Sequence, residues 1–461
     1  MTTHSGAAPL SCFKVYDIRG KLGENLDEEI ARRIGAAFAV ALGAKRVVLG
    51  RDIRASSESL AAAVAEGLTA QGADVLDLGL SGTEEMYFAT THFAADGGIC
   101  VTASHNPMDY NGMKMVKAGS APLDPATELS RVKALAEAND FAAAPAPGKV
   151  RPAEGARAAY VERVMSFVDV SALRPLRLLV NAGNGAAGPT FDAIWERLIA
   201  AGAPLTVERL YHEPDGSFPN GIPNPLLPEN QPPTADAVRA TGADIGIAWD
   251  GDFDRCFLFD REGHIVAGEY VVGLLAEAFL AKEPGASIVH DPRVVWNTQD
   301  IVAQAGGTAV QTRTGHAFLK QAMRETGAVY GGEMSAHHYF RDFVACDSGM
   351  IPWLLVIELM SRRNQPLSEL VGGMRAAFPS SGEINFRVDD VARARARVEA
   401  AFGNAAQSRD ETDGLSLGFG TWRFNLRASN TEPLLRLNVE ARGDAALVSQ
   451  KVAELAALIE G

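Results

Sequence analysis

Short apolar runs alternate with amphipathic stretches along the first two-thirds of the chain. The pattern predicts a strand, a helix and a returning strand, and this unit occurs three times. The predicted segments are 46–50, 56–71 and 73–79; 177–180, 190–201 and 204–210; and 287–290, 298–305 and 308–312. Three such units predict three related layered α/β domains with mainly parallel strands.

The chain on either side of these units has a different pattern. Before the first unit, Asn25 is expected to cap a helix with an apolar stripe that begins at Leu26. After residue 380, strands at 383–388 and within 422–439 are combined with helices at 391–402 and 445–459. This last region predicts a smaller C-terminal α+β domain.

Composition shifts suggest where the domains end. Residues 143–152 are rich in Ala, Pro and Gly, and residues 260–263 follow a predicted strand. The fold class predicted is therefore α/β, with three similar mixed α/β sandwich domains and a smaller fourth domain. The expected boundaries are 1–152, 153–260, 261–378 and 379–461.

Charge and composition narrow the class of protein. The 461 residues are 47% hydrophobic, as in a globular enzyme, and carry a formal net charge of −14, which disfavours nucleic acid and anionic membranes as partners. Four scattered cysteines without a C-x-x-C spacing favour reduced thiols. The first residues lack the pattern of an export signal, and the apolar runs are too short to span a bilayer. A cytoplasmic location is expected.

The first candidate for chemistry is the segment 97–117. An apolar strand at 99–101 leads into the polar turn 102–107, where Pro107 disfavours a helix. Ser104, beside His105 and near Lys114, could act as a nucleophile or a phosphoryl carrier. An ordinary Ser/Asn/Pro turn is the alternative interpretation.

The second candidate is an acidic loop between two apolar strands. Asp250, Asp252 and Asp254 alternate along it, which places three carboxylates on one side of an extended segment. Such a set suits a hard divalent cation, whereas Arg255 stands where an EF-hand loop has Gly. Arg255 could neutralise phosphoryl charge. A solvated acidic turn is the weaker alternative.

A third polar loop suggests recognition of sugar hydroxyls, and two nearby residues could take part in the same site. Glu333, Ser335 and His337 combine a carboxylate, a hydroxyl and an imidazole, as a sugar-hydroxyl site requires, although a solvated turn is an open alternative. Arg293 and His316 follow predicted strand ends of the third unit, where open α/β sheets bind ligands.

A fourth loop, RASNTEP at 427–433, joins two C-terminal strands. Arg427, Ser429, Asn430 and Thr431 offer a guanidinium, two hydroxyls and an amide, a set that can grip a phosphate. A plain Ser-Asn turn is the alternative, and Arg427 weighs against it.

One glycine pattern supports a different class of function. Gly183, Gly185 and Gly188 follow a strand and precede a helix, and Glu208 lies twenty residues beyond Gly188. This spacing matches a dinucleotide-binding fingerprint and would indicate an oxidoreductase. A structural strand-to-helix turn in a glycine-rich chain is the favoured interpretation.

Taken together, the motifs resemble the α-D-phosphohexomutase superfamily, and within it the bacterial phosphomannomutase and phosphoglucomutase group. The resemblance covers essentially the whole chain and implies four domains around a central cleft. It rests on YDIRG at 16–20, TASHNP at 102–107, YNGMK at 110–114, DGDFDR at 250–255, GEMSAHH at 332–338 and RASNTEP at 427–433.

The resemblance implies an isomerase that uses a phosphoserine at Ser104 and a hexose 1,6-bisphosphate, which also serves as activator. Mg²⁺ would be held by a phosphoserine oxygen of Ser104 and by the three aspartates of residues 250–254. The remaining catalytic residues implied are His105, Lys114, Arg255 and His337, with Lys114 or His337 as the general acid/base.

Substrate recognition is also implied by the resemblance. The expected contacts are Tyr16, Arg19, Arg293, His316, Glu333, Ser335, Arg427, Ser429, Asn430 and Thr431. Many family members have Arg where this chain has Lys14, and Lys where it has Arg293, so the bidentate geometry differs there.

The implied reaction interconverts mannose 6-phosphate and mannose 1-phosphate, with glucose phosphates as further substrates. Phosphoglucomutase as the main activity and a non-catalytic sugar-phosphate binder are the alternatives. The expected partner is a hexose phosphate, with no nucleic acid or membrane, and the expected state is a monomer or weak dimer.

Overall fold

The computed structural model describes residues 9–428 and 434–461, which form two compact units. Of the described residues, the first unit contains 9–265 and 342–362, and the second contains 266–341, 363–428 and 434–461. Ser429, Asn430 and Thr431, expected to bind phosphate, lie outside the described residues. The division is coarser than the four expected domains, whose boundaries stay predictions.

The N-terminal sheet of the first unit has a parallel centre. Its strands are β1 (Ile18–Lys21), β2 (Arg46–Arg51), β3 (Asp74–Leu80), β4 (Gly97–Val101), β5 (Tyr110–Lys117), β6 (Ala121–Pro122) and β7 (Val150–Pro152). The order is β1-β5-β4-β2-β3-β7, with β6 beside β5. β2 is parallel to β3 and β4, whereas β5 is antiparallel to β4 and β1.

The helices of this sheet are α1 (Glu28–Leu42), α2 (Ser57–Ala70), α3 (Thr83–His92) and α4 (Ser130–Ala138). Because a Cβ at Gly35 would lie 2.3 Å from a backbone oxygen of α2, α1 and α2 can cross only with glycine there. Phe38 of α1 and Val64 of α2 are fully buried in the same core cluster.

The predicted cap of the first helix is wrong by two residues. The Asp27 side chain accepts a hydrogen bond from the Ile30 backbone N–H at 2.8 Å and caps α1. Asn25 instead accepts from the Lys21 backbone N–H at 2.6 Å, which closes the turn before the cap. Both residue types are good caps, so the local sequence does not separate them.

A second sheet follows in the first unit. Its strands are β8 (Leu176–Asn181), β9 (Leu205–Leu210), β10 (Ile245–Trp249) and β11 (Cys256–Asp260), in the order β11-β10-β8-β9. β8 is parallel to β9 and β10, and β11 is antiparallel. The helices are α5 (Ala156–Met165), α6 (Ala187–Ala200) and α7 (Pro232–Thr241).

The second unit repeats the parallel pattern. Its strands β12 (Ser287–His290), β13 (Thr308–Gln311), β14 (Tyr330–Gly332) and β15 (His338–Phe340) lie in the order β13-β12-β14-β15. β12 is parallel to β13 and β14, and β15 is antiparallel. The helices are α8 (Gly268–Lys282), α9 (Trp296–Gln304) and α10 (His316–Thr326).

Residues 342–362 belong to the first unit. They contain β16 (Cys346–Asp347) and nearly all of α11 (Met350–Arg363). The buried Glu84 carboxylate accepts hydrogen bonds from the Gly349 N–H and, at 2.9 Å, from the Ser348 hydroxyl. Burial raises the pKa of Glu84 well above its usual value. Glu84 therefore fixes the start of α11 against α3.

The C-terminal part of the second unit is antiparallel. The strands are β17 (Ser380–Arg387), β18 (Ser408–Asp410), β19 (Leu415–Gly418), β20 (Trp422–Ala428) and β21 (Leu434–Ala441), in the order β17-β21-β20-β19-β18. The helix α12 (Leu367–Ala377) precedes this part and packs against α8, and the helices of the part itself are α13 (Val391–Phe402) and α14 (Ala445–Glu460). The mixed sheets and this smaller α+β region confirm the predicted fold class. Over the described part of the chain, we find no helix with the length and apolarity needed to cross a bilayer.

Candidate active site

Ser104 stands in the turn after β4, and its side chain meets the acidic loop. The Ser104 hydroxyl donates to Asp250 Oδ2 at 2.6 Å and lies 3.0 Å from His105 Nδ1. Its backbone φ is +49°, a left-handed conformation that is rare outside glycine. The Ser104 N–H donates to the Thr102 hydroxyl at 2.8 Å and so helps to hold this turn. The turn thus brings the Ser104 hydroxyl into contact with a carboxylate that lies 146 residues further along the sequence.

The acidic loop can approach Ser104 closely because it contains a glycine. A Cβ at Gly251 would lie 2.5 Å from the Ser104 backbone oxygen. The loop follows β10, all five residues of which are buried, and the next strand, β11, is equally buried. The sequence therefore places Asp250, Asp252 and Asp254 at the end of a buried hairpin.

All three aspartates are at most 1% exposed, and one oxygen from each can lie within 4.8 Å of the others. Asp250 Oδ1 and Asp252 Oδ1 are buried and have no hydrogen-bond partner among the described residues. Buried carboxylate oxygens of this kind require a cation or a donor, and a hard divalent cation prefers oxygen ligands. The residues present fit a metal site.

Lys114 of β5 is the nearest counter-charge. Its ammonium group donates to Asp252 Oδ2 at 2.8 Å and also to Asp254. Burial works against this charge, but the two aspartates outweigh it and raise the pKa of Lys114. Burial likewise opposes ionisation of Asp252, but Lys114 outweighs it and holds the pKa of that carboxyl well below its usual range.

His105 and Arg255 lie on the other side of the serine. Arg255 Nη2 donates to His105 Nδ1 at 2.8 Å, and Arg255 Nε is 3.3 Å from Asp250 Oδ2. Burial, together with the charge of Arg255, lowers the pKa of His105 to about 4. A neutral His105 accepts at Nδ1, in agreement with the donated hydrogen bond.

Arg54, which the sequence analysis did not single out, stabilises the serine turn through hydrogen bonds to its backbone. Its Nη2 donates to the backbone oxygens of Ser104 at 3.0 Å and Asn106 at 2.5 Å. Its Nη1 donates to those of Pro107 at 2.9 Å and Tyr110 at 3.2 Å. Arg54 is 3% exposed, so these carbonyls have a buried charged donor in place of water. In the sequence, the position of Arg54 just after the predicted strand that became β2 was the only feature that could have marked it as a candidate site residue.

Thr83 was also missed. It is fully buried at the first position of α3, and its hydroxyl donates to Asp252 Oδ2 at 2.5 Å. Arg19, an expected substrate contact, donates to the backbone oxygens of Ile18 at 2.9 Å and Thr102 at 3.1 Å. Arg19 therefore lies at the base of the serine turn. Tyr16 lies two residues before β1 and is partly buried.

In the second unit, the turn between β14 and β15 carries Glu333. Its Oε1 accepts from the Gly315 N–H at 2.9 Å, and its Oε2 accepts from the Tyr339 hydroxyl at 2.6 Å. His316 begins α10 directly after Gly315. His337 is 9% exposed, and its ring stacks on that of Tyr339 at a centroid distance of 6.2 Å.

Arg293 connects this turn to the start of α9. Its Nη2 donates to Asp291 Oδ2 at 2.7 Å and to the Ser335 hydroxyl at 3.3 Å. The same atom is 3.8 Å from Glu333 Oε1. Burial opposes the charge of Arg293, but Asp291 outweighs it and raises the pKa of the guanidinium. Arg293, Ser335 and Glu333 therefore form one network, and their role in a common site stays a prediction.

Arg427 lies near the end of β20 and is paired with a residue that the sequence analysis did not assign. Its Nη2 donates to Glu383 Oε2 at 2.8 Å. Arg436, its cross-strand partner on β21, lies 3.8 Å from Glu383 Oε1. Arg293 Nη1 is 3.6 Å from Glu383 Oε2. Three guanidinium groups thus surround one carboxylate.

The glycine turn at 183–188 has a structural role in the fold. A Cβ at Gly183 would lie 2.3 Å from the Pro223 Cβ, and one at Gly185 would lie 2.9 Å from the Gly251 oxygen. The Ala186 N–H donates to the same Gly251 oxygen at 3.1 Å. The start of α6 therefore supports the acidic loop, and this use of the glycines favours the structural interpretation over a dinucleotide site.

Three α/β regions, a smaller antiparallel region and a serine hydroxyl on a buried acidic cluster define a multidomain α/β protein with a candidate serine–metal site. The chain belongs to the phosphoglucomutase/phosphomannomutase family. Models of its α/β/α domains I, II and III match residues 11–143, 158–263 and 267–377, and the model of its C-terminal domain matches residues 383–458.

Individual relatives are similar over nearly the full length. A phosphomannomutase of Salmonella typhimurium is 59% identical over 98% of this chain and 99% of its own. A protein named phosphohexose mutases of Xanthomonas campestris is 55% identical over 98% of this chain and 100% of its own. The crystal structure of a phosphoglucomutase/phosphomannomutase family protein from Burkholderia thailandensis is 34% identical, has a TM-score of 0.85 and covers 97% of each chain.

Proposed function

We propose that this protein is a phosphomannomutase that interconverts mannose 6-phosphate and mannose 1-phosphate through a phosphoserine at Ser104. Glucose phosphates are proposed as further substrates. The observation that carries the proposal is the 2.6 Å hydrogen bond between the Ser104 hydroxyl and Asp250, one of three clustered buried carboxylates. Similarity to relatives named phosphomannomutase supports the choice of mannose.

In the proposed reaction, the Ser104 Oγ–P bond breaks as an oxygen of the hexose phosphate bonds to the same phosphorus. The proton of that sugar hydroxyl passes to an acid/base, for which Lys114 and His337 are the candidates. Of the two, His337 is the proposed acceptor, because Asp252 and Asp254 keep Lys114 protonated. The resulting 1,6-bisphosphate turns over, and its other phosphate returns to Ser104. Added hexose 1,6-bisphosphate would activate the enzyme because it phosphorylates Ser104 directly.

The residues around Ser104 have distinct proposed roles in this transfer. Asp250, Asp252 and Asp254 would hold Mg²⁺ together with a phosphoserine oxygen; when bound, it supplies positive charge beside the phosphoryl group. Arg255 and His105 would orient that group, since both contact the serine or its carboxylate partner.

The second unit is proposed to recognise the substrate. Glu333 and Ser335 would contact sugar hydroxyls, and Arg427 with Ser429, Asn430 and Thr431 would grip the phosphate that is not transferred. Tyr16, Arg19, Arg293 and His316 are proposed as additional contacts. The network of Arg293 with Ser335 supports a common site in this unit.

We propose a cytoplasmic enzyme that acts as a monomer or weak dimer on a hexose phosphate, with no nucleic acid or membrane partner. The net charge of −14 supports the last point, because such a chain repels polyanions at long range.

The proposal is tested by intact-protein mass spectrometry after exposure to glucose 1,6-bisphosphate. The wild type should gain one phosphoryl group, Ser104→Ala should gain none, and the control Ser59→Ala, which removes an exposed hydroxyl on α2, should behave as wild type. Kinetics on mannose 1-phosphate, glucose 1-phosphate and glucosamine 1-phosphate would then rank the substrates. Phosphorylation of Ser104→Ala, or absence of turnover by the wild type, would overturn the proposal.

A further inference from the structure

Glu383, on the edge strand β17, occupies the centre of the arginine cluster in the second unit. Its carboxylate accepts from Arg427 at 2.8 Å and lies within 3.8 Å of Arg293 and Arg436. Its side chain is 21% exposed, so solvent and solutes can reach the cluster. Glu383 lies neither in the acidic loop at 250–255 nor in the turn between β14 and β15 that carries Glu333.

The strand register explains why a carboxylate stands there. Arg427 of β20 and Arg436 of β21 are directly opposite each other, and β21 also pairs with β17. Like charges directly opposite on neighbouring strands destabilise a sheet. Glu383 offsets this repulsion. Burial disfavours its charge, but Arg293 and Arg427 outweigh burial and lower the pKa of Glu383, which keeps it ionised.

The cluster still has unused capacity for an anion. The Nε atoms of Arg293 and Arg427 are buried without a hydrogen-bond partner among the described residues. A guanidinium presents its donors as a planar fork that matches two phosphate oxygens. A phosphate that replaced the Glu383 carboxylate on Arg427 could in addition engage the donors that this carboxylate leaves open.

We propose that Glu383 is a built-in competing anion: it occupies Arg427 in the absence of substrate, and the phosphate must displace it to bind. This inference rests on the proposed function, in which Arg427 grips the phosphate that is not transferred. A bisphosphate that turns over between two transfers has to leave this grip and return. Uniformly tight binding would slow that release without accelerating the transfer, so a competing carboxylate is an advantage.

The test is the affinity for inorganic phosphate, measured by isothermal titration calorimetry on the full chain. Glu383→Gln keeps the shape but removes the charge, and phosphate should bind about tenfold more tightly. The matched control is Glu411→Gln, which removes one exposed carboxylate from the same C-terminal region, paired with Arg395 and Arg409 outside the cluster. It should bind phosphate as the wild type does. Weaker or unchanged phosphate binding by Glu383→Gln would overturn the inference.

A double-mutant cycle assigns the effect to the named pair. Arg427→Gln should weaken phosphate binding, and the gain from Glu383→Gln should disappear in the Arg427→Gln background. If the gain persists there, Glu383 does not compete at Arg427 and the inference fails.

Glu383→Asp covers the case in which Glu383→Gln does not fold. The aspartate keeps the charge but withdraws it by one methylene, so phosphate affinity should lie above that of the wild type. Equal or lower affinity would contradict the inference. Failure of the proposed function is distinguishable, because it would appear as a missing phosphoserine or missing turnover while these calorimetric results still decide the role of Glu383.

Discussion

In the first unit, three buried aspartates face Lys114 and Arg255, whereas in the second unit two opposed arginines of the C-terminal sheet share Glu383. Among the described residues, the first site has three carboxylates beside two cations. In the second, the described residues place three guanidinium groups around the carboxylate of Glu383. Each excess calls for a ligand of opposite charge, a divalent cation in one unit and a phosphate in the other.

The two regions also hold their excess charge by different means. In the first unit the carboxylates are almost completely buried and are fixed by donors from distant segments, among them Thr83 and Lys114. In the second unit the arginines lie on neighbouring strands and are fixed by a carboxylate that remains partly exposed. We therefore expect the first region to respond to substitution through metal binding and transfer rate, and the second through substrate affinity.

The largest expected effect is that of Lys114→Met. Turnover should fall about 10²–10³-fold, because a preorganised cation beside the phosphoryl group is lost. Mn²⁺ affinity, measured by electron paramagnetic resonance, should rise about tenfold, because the ammonium no longer competes for Asp252 and Asp254. Lys117→Met, at the solvent-exposed end of the same strand, is the control.

Unpaired buried carboxylates also reduce stability, so Lys114→Met should lose about 3–5 kcal/mol of unfolding free energy in the absence of metal. Mn²⁺ should restore part of it, since a ligand of the folded state stabilises by mass action. Loss of Mn²⁺ affinity in a folded Lys114→Met protein would show that the lysine organises the aspartates and does not compete for them.

Arg54→Lys tests how the serine turn is held. An ammonium cannot supply the four backbone contacts made by the guanidinium fork, so the turn should shift. Single-turnover transfer from phosphorylated Ser104 should slow about a hundredfold, as a displacement of about 1 Å can produce. The KM for mannose 1-phosphate should remain near the wild-type value, because the proposed sugar contacts lie mainly in the second unit.

Arg46→Lys is the matched control for that experiment, since Arg46 also donates to a backbone oxygen, that of Phe93, at 3.2 Å on the exposed surface. If Arg54→Lys raises KM and leaves the transfer rate intact, Arg54 does not position the serine. The expectation that the first region controls transfer rate and the second controls substrate affinity would then also be wrong.

Thr83→Val should have a smaller effect, confined to the metal site. The buried hydroxyl orients Asp252 through a 2.5 Å hydrogen bond, and loss of such a contact to a ligand lowers metal affinity about 10–100-fold. Mn²⁺ titration measures this directly. Thr90→Val is the control, because it removes a buried hydroxyl of the same helix whose hydrogen bonds, within the described part of the chain, go to Met86. Equal losses in both variants would mean that helix packing, and not Asp252, is responsible.

These residues also show which parts of the candidate site a local sequence pattern can predict. Ser104 and the three aspartates were recognisable because each set has a local pattern: a strand that ends in a polar turn, or carboxylates at alternate positions. The mainly parallel strands and the smaller C-terminal α+β region were predicted for the same reason, since apolar periodicity is local.

Arg54, Thr83 and Glu383 were not recognisable as site residues. Their partners lie 50, 169 and 44 residues away, and their local surroundings are an ordinary strand end, helix start and edge strand. The wrong helix cap has the same origin. Asn25 and Asp27 are equivalent by propensity, and only the hydrogen bond from Lys21 to Asn25 decides between them.

The smallest expected effect is on the pH dependence of stability. It arises from His338 of the second unit, which we compare with His105 of the first. Burial and Arg255 lower the pKa of His105 to about 4, whereas burial, with a lesser effect of His337, lowers the pKa of His338 to about 3. His338 is fully buried, and its Nδ1 is 2.7 Å from the Tyr330 hydroxyl. Between about pH 3 and pH 6.5, the unfolded state therefore binds a proton at residue 338 that the folded state does not.

Stability should accordingly rise with pH across that window and fall on acidification, with this single group contributing up to about 1.4 kcal/mol per pH unit. His338→Asn keeps an acceptor near the Tyr330 hydroxyl but cannot titrate, so its unfolding free energy should depend less steeply on pH between 4 and 6. Urea unfolding followed by circular dichroism measures both slopes, and His264→Asn, which removes an exposed histidine, should keep the wild-type slope. The slope is diagnostic where the absolute stability is not, because the smaller side chain destabilises the core equally at every pH. Parallel curves for wild type and His338→Asn would mean that the folded protein accommodates a charged His338, and the second unit would then tolerate a buried cation without a carboxylate partner.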